Sequence, residues 1–300
     1  MRLEGYQMFK KFVENRFRLD EGEIFYKIGG EGPPLLLLHG YPQTHFMWHL
    51  VAPSLAKTYT IITPDLRGYG RSLCPIGDSD HYNYSKKVMA DDLRKLMNHL
   101  NFYNFGLVGH DRGARVAHRM ARDNKEDISG LIVMDICPTL DMYETTDMEF
   151  AKAYFHWFFL IQPVGVPETL IGNNPEFWLN NCLNKWSTGH DFKKAQKEYI
   201  KYFSKPENIH SSCEDYRAGA SIDLVHDRED RQKKLKIPIH AIWGSKGFIG
   251  NAYDPKKVWQ TYTSGKVSGK SLDCGHFIPE EKPEETISEI SNFFNSINYR

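Results

Sequence analysis

The chain has 300 residues, of which 41% are hydrophobic, 13% aromatic and 25% charged. Lysine plus arginine and aspartate plus glutamate balance at 38 each, which argues against a general affinity for nucleic acid or an anionic membrane. The length suffices for a sizeable core, and no stretch approaches the roughly 18 apolar residues of a membrane span. The N-terminal MRLEGYQMFKKFVENRF has no continuous apolar run of the secretory kind. Cys74, Cys137, Cys182, Cys213 and Cys274 are odd in number and widely spaced, with no C-x-x-C pair. They read as small buried hydrophobes in a reducing compartment, and the protein as cytoplasmic.

In chain order, Glu23–Ile28 predicts a short strand and Gly29–Pro34 a turn. Leu35–Leu38 is an unbroken apolar run stopped by His39-Gly40, as expected of a parallel strand buried on both faces. Thr60–Thr63 repeats that pattern before Pro64-Asp65. Ser85–Leu100 has helical spacing through Val88, Leu93, Leu96 and Leu100. Phe105–Val108 is a strand, Gly113–Arg122 a helix and Leu131–Met134 a strand ending at Asp135. Ile237–Trp243 is a late strand, Lys266–Leu272 a further extended segment, and Glu284–Phe294 a closing helix with Ile287, Ile290, Phe293 and Phe294 on one side. Strand and helix alternate to about residue 137 and again from about 235, which predicts an α/β protein with a mostly parallel sheet and helices on both faces. Residues 141–230 are rich in aromatics and amides without a strand pattern. They are expected to form a helical cap over the sheet's C-terminal edge, inserted between a first core segment, 1–140, and a second, 231–300.

The most informative segment is Gly109-His-Asp111-Arg-Gly113, between a predicted strand and a predicted helix. Here a G-x-nucleophile-x-G turn carries Asp in place of Ser. The glycines relieve clashes at a sharp bend, and the helix behind it points N–H groups at the reacting centre. An Asp capping a helix would explain the motif alone, but two further parts accompany it. His276, in Asp273-Cys-Gly-His-Phe-Ile-Pro279, follows the last extended segment, in the chain order nucleophile, acid, histidine. The acid could follow either the strand after the nucleophile helix or the strand Ile237–Trp243. The later strand has no carboxylate until Asp254, so Asp135 is preferred. His39-Gly40-Tyr41-Pro42 supplies an oxyanion site, in which the backbone N–H groups of Tyr41 and Arg112 converge on one oxygen of Asp111.

A carboxylate is ionised at neutral pH and needs no base to activate it. It attacks an sp³ carbon and forms an alkyl ester, whose own carbonyl is then attacked by water deprotonated by His276. Alkyl halides or epoxides are therefore the expected substrates. Arg112 and Arg115, on one side of the helix start, suit a carboxylate-bearing substrate and keep Asp111 ionised.

His110-Asp111-Arg112-Gly113-Ala114-Arg115-Val116 resembles the signature of the fluoroacetate (haloacetate) dehalogenases of the α/β-hydrolase superfamily. The likeness extends to Leu35–Thr44 (LLLLHGYPQT), His156-Trp157, Cys213–Ala220 (CEDYRAGA) and Gly275–Glu280 (GHFIPE). Related haloalkane dehalogenases and epoxide hydrolases usually carry Trp in place of Arg112. The resemblance implies Asp111 as nucleophile, Asp135 as acid partner and His276 as base. It also implies Arg112 and Arg115 as carboxylate ligands and His156, Trp157 and Tyr216 as donors to the departing halide, with Trp186 lining the pocket. It implies a small haloacid substrate, a homodimer and no cofactor. Gly244–Tyr253, with Lys246 and Phe248, departs from the family's pattern. An epoxide hydrolase would share the triad and use tyrosines such as Tyr154 and Tyr216, but gains nothing from paired arginines. A non-catalytic ligand-binding protein would not need a complete triad. The 13 histidines show no metal-binding spacing, so no metal is expected.

Overall fold

A computed structural model describes residues 9–123 and 127–299; residues 1–8 of the N-terminal segment read above lie outside it. Its strands are β1 (Val13–Leu19), β2 (Gly22–Gly29), β3 (Pro34–Leu38), β4 (Thr60–Pro64), β5 (Phe105–His110), β6 (Ile128–Met134), β7 (Ile239–Gly244) and β8 (Val267–Leu272). They form one sheet in the order β1-β2-β4-β3-β5-β6-β7-β8. β2 runs antiparallel to β1 and β4, and every pairing from β4 to β8 is parallel.

The centre of the sheet follows directly from the apolar runs. Leu35–Leu38 and all of β5 are buried, and they pair in register from Leu35 with Gly106 to Leu38 with Gly109. Helix Lys86–His99 starts where the Ser85 side chain accepts the Val88 amide, and it buries Met89, Ala90, Leu93, Leu96 and Met97. Helix Pro283–Ser296 buries Ile290, Phe293 and Phe294. β1 was not anticipated. It is an edge strand whose side chains alternate between exposed and half-buried, with Glu14, Arg16 and Arg18 along it, so no apolar run marks it.

Eight helices lie between β6 and β7, from Thr139–Glu144 to Ile222–Glu229. Many aromatics of this stretch are buried, among them Phe150, Trp157, Tyr199 and Tyr216. No helix of the described residues is long and apolar enough to cross a membrane. All five cysteines are free, and only Cys74 is not fully buried.

Parallel strands deliver their following loops to one edge, where ligands of open α/β sheets bind. His39–Tyr41 follows β3, Asp111 follows β5, Asp135 follows β6, and His276 lies beyond β8. The bend after β5 works because backbone segments approach very closely. A Cβ on Gly113 would sit 2.2 Å from the His39 carbonyl oxygen, and one on Gly109 2.5 Å from Ala114 Cα. Both neighbours are backbone and cannot swing aside. Gly113→Ala is therefore expected to destabilise the fold by about 1–3 kcal/mol, read as a lower midpoint in chemical denaturation. An unchanged midpoint would contradict the close approach.

Candidate active site

Asp111 opens helix Asp111–Asp123 with φ of +47°, a left-handed conformation rare for a non-glycine residue. Its carboxylate is nearly buried. Oδ1 accepts the Tyr41 amide at 2.9 Å, and Oδ2 lies 3.9 Å from His276 Nε2. The Arg112 amide, the other donor expected at this carboxylate, makes no hydrogen bond to it here. His276 Nδ1 and Asp135 Oδ2 are 2.7 Å apart. Asp135, itself at φ +52°, accepts the Gly244 amide at 3.0 Å through its other oxygen. The loop carrying His276 is held by backbone contacts. The His276 amide donates to the Trp186 carbonyl at 2.7 Å, and His110 Nε2 meets the His276 carbonyl at 2.8 Å. Glu281 accepts the amides of Gly275 and Phe277, on either side of His276, at 3.0 Å each.

The two arginines after Asp111 differ in a way that their spacing does not show. Arg112 donates from Nε and Nη2 to the two carboxylate oxygens of Asp215, both at 2.9 Å, and stacks 4.1 Å from the Tyr216 ring. Lys86 and the Tyr69 hydroxyl also meet Asp215. Arg115 donates to the Cys137 carbonyl at 3.0 Å and Thr139 Oγ1 at 2.9 Å, contacts Met142 Sδ, and lies 4.7 Å from the Trp157 ring. Its Nε is buried without a partner. Among the described residues no carboxylate lies within ion-pairing distance of Arg115. The electrostatics follow. Burial opposes the charge of Arg112, but Asp215 outweighs it and strengthens the guanidinium's hold on its proton. For Arg115 burial wins, with Arg112 adding repulsion, and the affinity for the proton falls.

The helical insertion brings four more expected residues to the same place. The His156 ring lies 4.5 Å from Trp186 and 5.6 Å from Tyr216, and stacks over Tyr41 at 6.3 Å. The Trp157 ring is 6.4 Å from Tyr216. His156 Nδ1, Trp186 Nε1 and the Tyr216 hydroxyl are all buried without a hydrogen-bond partner. Unsatisfied polar atoms are uncommon in native interiors, and three within one aromatic group point to a ligand of matching polarity. Burial holds His156 far below the usual imidazole range, so its ring is neutral. The sequence reading missed Asp215, Lys86, Thr139 and Glu281. Only Asp215 left a signal, standing beside Tyr216 in CEDYRAGA, and nothing there says which arginine it meets.

Burial would raise the Asp111 carboxyl, but the positive neighbours His276, Arg115 and Arg112 outweigh it and keep the group ionised. Burial would lower His276, and the Asp135 bond and charge, with the charge of Asp111, reverse that and raise it. Elsewhere, Glu168, His210 and Glu214 come together, but Arg217 Nη1 stands 2.7 Å from both carboxylates and takes the place of a cation.

The chain matches the alpha/beta hydrolase fold family over residues 33–283, and it belongs to that family. It is 42% identical over 291 residues to a fluoroacetate dehalogenase of Burkholderia sp, covering 96% of this chain and 95% of that one. It is 35% identical over 295 residues to a soluble epoxide hydrolase of Corynebacterium sp. (strain C12), covering 96% and 99%. A crystal structure of an assigned alpha/beta hydrolase from Nostoc sp PCC 7120 superimposes with a TM-score of 0.93 at 52% identity, over 96% of this chain and 99% of that one. The protein is a hydrolase of this family.

The electrostatics predict that His276 titrates above an ordinary imidazole in the resting protein. Asp111→Asn should lower that midpoint and Asp135→Asn should lower it further, as read by NMR of the imidazole ring. An equal midpoint in all three proteins would contradict the described coupling.

Proposed function

We propose that the protein hydrolyses the carbon–halogen bond of a short haloacid, such as fluoroacetate or chloroacetate, to the hydroxyacid and halide. The observation that carries this reading is the carboxylate of Asp111, set near an Asp135-braced imidazole and two buried guanidiniums. Fold alone would not choose among hydrolases. Both arginines would donate hydrogen bonds to the substrate carboxylate. In this reading residues 1–140 and 231–300 are the core and 141–230 the cap.

Asp111 attacks the carbon bearing the halogen, and the C–X bond breaks as the ester C–O bond forms. The halide leaves toward His156, Trp157 and Tyr216, with Trp186 closing the pocket. Neutral N–H and O–H donors with no competing partner are what a small anion needs. The 3.9 Å between Asp111 and His276 is too long for a direct hydrogen bond, and a water donating to Nε2 would reach the ester carbonyl. His276 takes the proton, hydroxide adds to that carbonyl, and the Tyr41 amide, which already meets this carboxyl group, stabilises the oxyanion; the Arg112 amide would have to turn toward it to assist. Collapse breaks the ester C–O bond; the departing alkoxide takes the proton of the newly formed carboxyl group, which leaves the hydroxyacid and the Asp111 carboxylate, and His276 gives its proton to solvent. Esterification also removes the negative charge that helps raise His276. The imidazolium thus gives up its proton more readily, leaving the neutral ring at the moment a base is needed.

Epoxide hydrolysis is the second reading. It draws on the unpartnered Tyr216 hydroxyl and the 35% identical relative, and the paired arginines weigh against it.

Halide release from chloroacetate or fluoroacetate is the test. Asp111→Asn should abolish it. His276→Asn should release about one equivalent of halide and then stop, with the protein mass increased by one carboxymethyl group. For the intact enzyme, turnover limited by ester hydrolysis should rise with pH and level off once His276 is neutral. Turnover of styrene oxide with no halide release from either acid would favour the second reading.

A further inference from the structure

The two guanidiniums near Asp111 are both buried, yet among the described residues only Arg112 has a carboxylate within ion-pairing distance. Asp215 grips Arg112 from two sides, and the Asp215 backbone carbonyl accepts from Nη2 at 2.7 Å as well. Asp215 is itself fixed by Lys86 and by the Tyr69 hydroxyl, which donates at 2.6 Å. Lys86 also reaches Asp223 at 3.1 Å. Arg112 thus belongs to a charge-balanced chain that ties the nucleophile helix, helix Lys86–His99 and the insertion helices together. The two-point contact uses Nε and Nη2, so Nη1 takes no part in it.

Arg115 contrasts at every point. Its partners are a carbonyl, a hydroxyl, a thioether and an indole face, all neutral. Asp223 and Asp227 line a small void on another side of it, but neither is within ion-pairing distance among the described contacts, and Asp223 is occupied by Lys86. A guanidinium taken out of water with no counter-ion costs several kcal/mol, and an anion arriving beside it offsets that cost. An anion beside Arg112 meets a pair already neutralised.

We propose that Asp215 is a positioning and specificity residue: it neutralises and fixes Arg112, so that Arg115 alone reads the negative charge of the ligand. Arg112 then acts as an oriented hydrogen-bond donor, serving a neutral carbonyl as well as a carboxylate. This inference rests on the reading that a carboxylate-bearing substrate enters this site.

The test measures equilibrium binding of acetate and of its neutral isostere acetamide, by calorimetry, so it needs no turnover. The wild type should prefer acetate by roughly ten- to a hundredfold. Arg115→Gln should bring the two within about threefold, and Arg112→Gln should weaken both while keeping the preference. Asp215→Asn should enlarge the preference, because Arg112 is unmasked. The double variant Asp215→Asn with Arg115→Gln should regain a preference that Arg115→Gln alone has lost. A merely structural Asp215 would weaken both ligands alike and give no such recovery. With chloroacetate and chloroacetamide as substrates, Asp215→Asn should lower kcat for both, and Asp215→Glu should restore part of it.

Equal loss of preference in Arg112→Gln and Arg115→Gln overturns the proposal, as does a double variant without recovery. If Asp215→Asn does not fold, the comparison of Arg112→Gln with Arg115→Gln decides. A wild type that prefers acetate but releases no halide from haloacids would remove the dehalogenase reading and leave this inference standing. One that releases halide without preferring acetate would do the reverse.

Discussion

Burying a carboxylate costs several kcal/mol unless positive charge and hydrogen bonds surround it, and nearly everything near Asp111 answers that requirement. The residue stands at the end of a fully buried strand, in a left-handed conformation that turns its side chain out of the helix it begins. Strand ends on both sides supply its environment. β3 leads to the Tyr41 amide, β6 to Asp135, and the loop beyond β8 to His276. Strain at Asp111 persists because the surroundings over-determine it: Gly113 lets its backbone meet the His39 carbonyl, Gly40 lets the chain pass against the Asp111 side chain, and neither position has room for a Cβ.

Charge also explains why the helical insertion sits where it does. Helix Asp111–Asp123 carries Arg112, Arg115, Arg119 and Arg122 at intervals of three and four residues, one side of a helix, and all four are buried. Each needs something to face. Asp215, on an insertion helix, meets Arg112, while Asp123 and Asp230 meet Arg119. Arg122 donates to the Asp230 carbonyl at 2.7 Å. Arg115 faces neutral groups and the aromatic cluster of Trp157 and Tyr216. The insertion is therefore anchored by ion pairs to the same helix that presents the carboxylate.

Much of this was legible in the sequence, for identifiable reasons. Leu35–Leu38 and Phe105–Val108 announce central strands because burial on both faces demands unbroken apolar runs. Gly109 and Gly113 around Asp111 announce the bend because no other residue fits there. Asp135 and His276 stand out because each follows an extended segment, and the fold sets their side chains 2.7 Å apart. β1 escaped notice because an edge strand needs no apolar run. The asymmetry of the arginines escaped because position along a helix tells which face a side chain takes, not which distant acid will meet it. Asp215 lies 103 residues from Arg112, and only folding brings them together.

The claim that governs all of this is that the side chain of Asp111, rather than free water, attacks the substrate. It is tested most directly by one turnover with enzyme in excess over chloroacetate, in water enriched in the heavy oxygen isotope. If Asp111 is the nucleophile, the oxygen given to the hydroxyacid comes from its carboxylate. The product should then be unlabelled, and the peptide containing Asp111 should gain the label. Label in the hydroxyacid from that first turnover, with none in the peptide, would contradict the account.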